Sequence, residues 1–264
     1  MTRKFRHDRR MSLRRLLLSL VLLSAVGASA LAQDAPPRAD GLSEPQRREV
    51  ETLVGDYIRN NPEVILEAIR GLQAREQADQ QQRQQEALTQ RRAEIDRDPG
   101  SPVAGNPRGN VTLVEFFDYR CGYCKTVFPA VQRLLKDDTE VRYVLKELPI
   151  LSPESRIASR LALAVWKTEP TRYFELHGKL MEARGELTER RILDIARDAG
   201  VNVERARREM GDAGIERALA QNMELAQALG ITGTPGFVIG NRLVPGAIDL
   251  ATLKQLVAEA RRGD

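Results

Sequence analysis

Two cysteines stand in the whole chain of 264 residues, and they stand three apart, at Cys121 and Cys124. A thiol pair at that spacing bridges itself, binds a soft metal, or exchanges with a sulfur on another molecule. It cannot staple distant parts of the fold, because no third cysteine exists to bridge to. The pair lies between a strand-like run, Val111 to Asp118, and a helix-like run, Lys125 to Leu135. The first cysteine therefore falls at a helix N-terminus, where unpaired N–H groups and the helix dipole stabilise a thiolate. Cys124, one turn inside, is shielded and suited to resolve a mixed disulfide formed at Cys121.

Metal chemistry competes for the same sulfurs. A closed zinc site takes four ligands. Past residue 32 the chain offers two cysteines and one histidine, His177, so no metal site is assigned. Two thiolates also suit Cu(I), and a copper-binding protein that is not an enzyme stays open as a reading. Glu115, six residues before Cys121, sits in Val111-Thr112-Leu113-Val114-Glu115-Phe116-Phe117, a run too apolar for an exposed charge. A buried carboxyl has a raised pKa and can relay protons. Lys146, after the second strand, is read as a solvent-facing lysine, with an ion pair to Glu115 as the alternative.

The elements that must position these residues follow from periodicity. Val111 to Phe117 is nearly continuous in apolar residues, as in a central strand buried on both faces. Glu140 to Leu145 reads as a second strand, and residues 153 to about 229 have helical period, with Ile157, Leu161, Ala164 and Val165 on one stripe. Trp166, Tyr173 and Phe174 are assigned to the core of that helical insert. Phe237-Val238-Ile239 and Arg242-Leu243-Val244 flank Gly240-Asn241, a two-residue hairpin signal. Asp249 caps a last helix. The order is β-α-β, a long helical insert, then β-β-α, an α/β fold.

Upstream, Ser43 and Pro45 open a helix whose Val50, Leu53, Val54, Tyr57 and Ile58 share one face. Asn61-Pro62 restarts it, and Val64, Ile65, Ala68, Ile69 and Leu72 form a second stripe. Residues 73–94 are rich in Gln, Arg and Glu, a helix with little to bury. Asp98-Pro99-Gly100-Ser101-Pro102 and Gly105 to Asn110 break the chain. The organisation expected is a leader over 1–32, a helical self-association segment and linker over 33–100, and the α/β domain over 101–264. Short amphipathic helices held off a core by such a linker favour association with copies of themselves.

The leader reading rests on seven Lys/Arg before the apolar run Leu16 to Val26 and on Ala30-Leu31-Ala32 as a cleavage signal. Removing those seven and one Asp from the 41 basic and 37 acidic residues leaves 34 and 36, a formal −2. The basic balance of the full chain thus belongs to the leader, and no nucleic-acid partner is expected. Export into a periplasmic, oxidising setting makes a single thiol pair a tool for chemistry and not for stapling.

The segment Glu115-Phe116-Phe117-Asp118-Tyr119-Arg120-Cys121-Gly122-Tyr123-Cys124-Lys125 resembles the active-site segment of DsbA-like proteins of the thioredoxin superfamily. Pro129, eight residues after Cys121, matches the superfamily's helix proline, and Gly233-Thr234-Pro235-Gly236-Phe237 resembles its cis-proline loop. The likeness spans about residues 103–264. It implies a thioredoxin fold with a helical insertion, with Cys121 as nucleophile, Cys124 as resolving thiol and Glu115 as the buried acid. It also implies that Thr234 and Pro235 shape the client groove beside Cys121. The strongest oxidases of the family carry Pro-His between the cysteines; Gly122-Tyr123, the redox-tuning dipeptide here, implies no strongly oxidising potential. No cofactor is implied beyond the redox-active Cys121–Cys124 disulfide.

Tyr57 to Ile69 resembles the N-terminal oligomerisation segment of ScsC-type proteins, DsbA-like proteins linked to suppression of copper sensitivity, some of them trimers. The combined expectation is a periplasmic thiol–disulfide oxidoreductase, an isomerase or reductase before an oxidase. Its partners would be exported client proteins with thiols or disulfides, a membrane redox partner, and copies of itself. A monomeric DsbA-like oxidase is the enzymatic alternative.

Overall fold

The computed structural model describes residues 41–263. The expected leader and its cleavage point at Ala32 lie outside the described residues. Two compact units divide near Ile65 and Leu66. In the first, helix α1 (Glu44–Asn60) opens with Pro45 in its first turn, and Gln46 Oε1 accepts the Ser43 N–H at 2.9 Å. None of its residues is buried, and Val50, Leu53, Val54, Tyr57 and Ile58 expose their apolar faces to solvent. Asn61 ends the helix by donating its side-chain amide to Tyr57 O at 2.8 Å.

Helix α2 (Glu63–Gln90) is a single element of 28 residues. Its Gln-rich middle is exposed, as its composition predicts. Its last turns are not: Leu88 is buried, and Gln84 Nε2 donates to Leu229 O at 3.0 Å. Helix α3 (Arg92–Asp96) buries Ile95, and Arg92 reaches Gly240 O at 2.6 Å. Burying one Leu or Ile side chain contributes about 1.5–3 kcal/mol. Two isolated apolar residues in a polar stretch thus dock this segment, and the second compact unit runs from Leu66, upstream of the Pro/Gly break at 98–110.

The sheet has five strands in the order β1-β3-β2-β4-β5. Strands β2 (Val111–Phe117) and β3 (Val141–Glu147) run parallel at its centre, and α4 (Gly122–Asp137) crosses between them. Strand β4 (Gly236–Ile239) lies antiparallel to β2, and β5 (Arg242–Pro245) closes the hairpin through Gly240, whose φ of +57° suits glycine. A three-residue strand not foreseen from the sequence, β1 (Val103–Gly105), pairs antiparallel with β3 at the other edge. Such a short strand inside a Pro/Gly-rich stretch carries no periodicity to read.

Alternation divides the sheet into two faces. Leu113, Phe117, Tyr143, Leu145, Phe237 and Ile239 pack with α4, with the insert and with α10 (Leu250–Arg262). Val114, Phe116, Val144 and Val238 pack on the opposite side with Leu88, Ile95, Leu225 and Leu229. Neither expectation for Lys146 holds. It pairs with Phe116 while Glu115 pairs with Leu145, so one residue of offset sends the two charges to opposite faces. Lys146 is 1 % exposed and donates to Glu94 O at 2.7 Å and to Asp98 Oδ2 at 3.0 Å.

The insert is five helices: α5 (Pro153–Thr168), α6 (Pro170–Glu182), α7 (Glu189–Asp198), α8 (Val203–Glu209) and α9 (Ala213–Ala228). Ser152, Thr188, Asn202 and Asp212 cap α5, α7, α8 and α9 with side-chain oxygens. Tyr173 is buried, and Trp166 and Phe174 are partly buried against the same core, as insert residues should be. Asp249 caps α10 through Thr252 N at 2.8 Å.

Candidate active site

Strand β2 ends at Phe117, and three residues carry the chain to Cys121 at the N-cap of α4. The turn is held by the buried Asp118 carboxylate. Its Oδ1 accepts Arg120 N and Ser155 Oγ, both at 2.7 Å, and its Oδ2 accepts Ile150 N at 2.9 Å and Leu151 N at 3.0 Å. One carboxylate so joins the cysteine turn, the loop after β3 and the start of α5. Cys121 N then donates to Asp118 O at 3.0 Å.

Cys121 Sγ sits 3.1 Å from Thr234 O and accepts the Cys124 N–H at 3.4 Å. Both thiols are free; Cys121 is 5 % exposed and Cys124 is fully buried. Burial pushes the Cys124 thiol well up, and the charge of Glu115 adds to the push. Helix α4 runs on through Pro129. The Thr234–Pro235 bond is cis, and the Thr234 hydroxyl is buried without a hydrogen-bond partner. A cavity of about 190 Å³ at this loop is lined by Ile231, Thr232, Thr234, Leu243 and Pro245.

Glu115 is buried on the α4 face of the sheet. Burial pushes its carboxyl up to about 8, and the Tyr143 hydroxyl, donating to Oε2, draws it partly back. Of the dipeptide, Gly122 has open space where a Cβ would stand, and Tyr123 is 71 % exposed. His177, remote in sequence, lies fully buried among Phe117, Tyr119, Phe128, Tyr173 and Phe174. Burial pushes its imidazole down to about 3, so it is neutral. Among the described residues, no group of three or more His, Cys, Asp or Glu is arranged to hold a metal ion.

The structure brings Cys121, Cys124, Glu115, Thr234 and Pro235 into one neighbourhood. Sequence reasoning missed Tyr143, Asp118 and Glu147. Asp118 was within reach, since a carboxylate between a strand and a helix N-terminus suits a loop anchor. Tyr143 and Glu147 read only as members of a strand until the register shows which face each takes.

Residues 112–258 match the DSBA-like thioredoxin domain model, and residues 46–79 match the N-terminal domain of copper resistance protein ScsC. The chain belongs to the DSBA-like thioredoxin domain family. The domain is accordingly of thiol–disulfide oxidoreductase type. It is similar to a thioredoxin-like oxidoreductase from Silicibacter pomeroyi, with 42 % identity and a TM-score of 0.62 over 65 % of this chain and 98 % of that one. Proteus mirabilis ScsC in a transitional conformation shares 33 % identity at a TM-score of 0.63, over 85 % of this chain and 99 % of that one. The Na(+)/H(+) antiporter NhaA 1 of Salinispora arenicola is 31 % identical over 163 residues, 61 % of this chain. The chain spans only 25 % of that antiporter's length. Among the described residues no helix is long and apolar enough to cross a membrane.

Proposed function

We propose that this chain is an exported, self-associating thiol–disulfide oxidoreductase that reduces or isomerises disulfides of client proteins through Cys121 and Cys124. One observation carries the reading: Cys121 Sγ stands at a helix N-cap, 3.1 Å from the Thr234 carbonyl, with Cys124 buried behind it. The thiolate of Cys121 attacks a client disulfide, forming a mixed disulfide and releasing one client thiolate. In reduction, Cys124 attacks Cys121 Sγ; the client leaves as a second thiol, and the Cys121–Cys124 disulfide forms. The proton of Cys124 passes to ionised Glu115, and a membrane redox partner returns two electrons. In isomerisation, a second client thiolate attacks the mixed disulfide and restores Cys121 with no net oxidation. The Thr234 carbonyl edge aligns an extended client strand at the sulfur.

The preference for isomerase or reductase over oxidase rests on Gly122-Tyr123, which supplies no imidazole beside the sulfurs, and on the exposed stripe of α1. The match of residues 46–79 to the ScsC N-terminal domain supports self-association. Several active sites held together suit a client that must be kept through more than one exchange.

The deciding experiment pairs the solution mass of residues 33–264 with recovery of scrambled ribonuclease and reduction of insulin. A defined oligomer that recovers scrambled ribonuclease supports the reading. A monomer that only oxidises reduced clients replaces it with a dedicated oxidase. Tight Cu(I) binding without turnover of either client replaces it with a copper protein.

A further inference from the structure

A second buried carboxyl lies next to the site and takes no part in the exchange steps. Glu147, the last residue of β3, is fully buried on the same sheet face as Glu115. Three hydroxyls from three elements converge on it. Its Oε1 accepts the Tyr119 hydroxyl at 2.9 Å and the Tyr173 hydroxyl at 2.8 Å, and its Oε2 accepts the Ser159 hydroxyl at 2.7 Å. Tyr173 belongs to α6 and Ser159 to α5, whereas Tyr119 belongs to the turn that delivers Cys121, two residues on. Burial pushes the Glu147 carboxyl up to about 8, and nearby Asp118 adds to the push. The Tyr119 oxygen also lies 3.2 Å from His177 Nδ1, so this phenol is held from two sides. A purely structural carboxyl would serve the insert alone; this one also grips the active-site turn.

We propose that Glu147 is a positioning residue for Cys121, acting through the Tyr119 hydroxyl to hold the active-site turn in the dithiol state. The inference rests on the reading of Cys121 and Cys124 as the redox pair. In the dithiol form no disulfide ties the Cys121 sulfur to Cys124, and the tether fixes the turn that presents that sulfur to Thr234 O and Cys124 N. In the disulfide form the S–S bond restrains the same turn, so the tether matters less. Loss of the tether therefore weakens the dithiol form more than the disulfide form.

The test is equilibration of the full chain with glutathione. In that reaction the dithiol gives two electrons and two protons to glutathione disulfide, yielding two glutathione thiols and the Cys121–Cys124 disulfide. Tyr119→Phe removes one hydroxyl and should shift the equilibrium toward the protein disulfide by roughly tenfold, ~30 mV for a two-electron couple. Tyr173→Phe removes a hydroxyl from the same carboxylate oxygen but not from the turn, and should leave the equilibrium within about twofold of wild type. An unshifted Tyr119→Phe, or an equal shift in Tyr173→Phe, overturns the proposal. If Tyr119→Phe does not fold, Glu147→Gln and Glu147→Met carry the contrast. The first keeps an oxygen for both phenols and the second keeps none, so equal equilibria in the two overturn the tether. A wild-type chain that does not exchange with glutathione defeats the redox-pair reading itself, a result distinct from failure of the tether.

Discussion

A carboxyl that burial pushes up to about 8, beside a thiol that burial also pushes upward, suits the proposed division of labour between Glu115 and Cys124. In the proposed exchange, Cys124 resolves a mixed disulfide only after losing its proton, and Glu115 accepts that proton only when ionised. Resolution should quicken as pH rises toward about 8. Glu115→Gln should slow insulin reduction by roughly 10²-fold and remove that rise, since a positioned base contributes about that much. The same carboxyl makes the fold sensitive to alkali. Its folded value of about 8 lies above the ordinary carboxylate value, so its neutral form is the one the fold prefers. Stability is then full below about pH 4.5 and falls as pH rises through the folded value, by on the order of a few kcal/mol. Thermal melts should put Glu115→Gln above wild type at pH 8.5 and level with it at pH 4.5; equal melting temperatures at the higher pH would count against this account. Thr234 offers an independent check. Its buried hydroxyl has no partner, so Thr234→Val should raise stability by about 1 kcal/mol in urea unfolding.

At the scale of elements, apolar runs announced β2, β3 and the β4–β5 hairpin, because buried strands leave near-continuous stretches of such residues. The helical stretch 153–229 was legible as a whole, and its division into five helices follows caps at Ser152, Thr188, Asn202 and Asp212. What escaped was pairing. Lys146 and Glu147 are neighbours in sequence, yet the pleat sends one to Asp98 and the other to Tyr119 and Tyr173. The cysteine pair and Glu115 were legible from spacing and from the apolar setting of the acid. The loop carrying Thr234 was legible only through family resemblance, since 113 positions separate it from Cys121. The polar composition of residues 73–94 reads as a helix with little to bury, inside the segment and linker expected over 33–100, and the buried Leu88 and Ile95 outweigh it at its end. Ile95→Ala should cost about 2–5 kcal/mol in urea unfolding, the range for an emptied core site. A cost near zero would return this stretch to the linker.

For the molecule as a whole, the exposed stripe of α1 is the feature that asks for a partner. Leu53 is 62 % exposed and Tyr57 58 %, one helical turn apart on the same side. On the proposed self-association and isomerase activity, replacing both with Glu should reduce the solution mass to that of a single chain and abolish recovery of scrambled ribonuclease. Insulin reduction per Cys121 should remain, because each active site is complete within one chain. Retention of the oligomer by that variant would move the interface elsewhere.

The margins of the sheet have a further consequence. One edge is a strand of three residues that ends in Gly105, and the other is four residues that end in Pro245, which lacks an N–H. Neither offers the long row of open amides on which a foreign strand could build. On the proposed role, half-folded clients would therefore meet a sulfur to react with and very little backbone to copy. Such clients could then visit without their host becoming the seed of a shared aggregate.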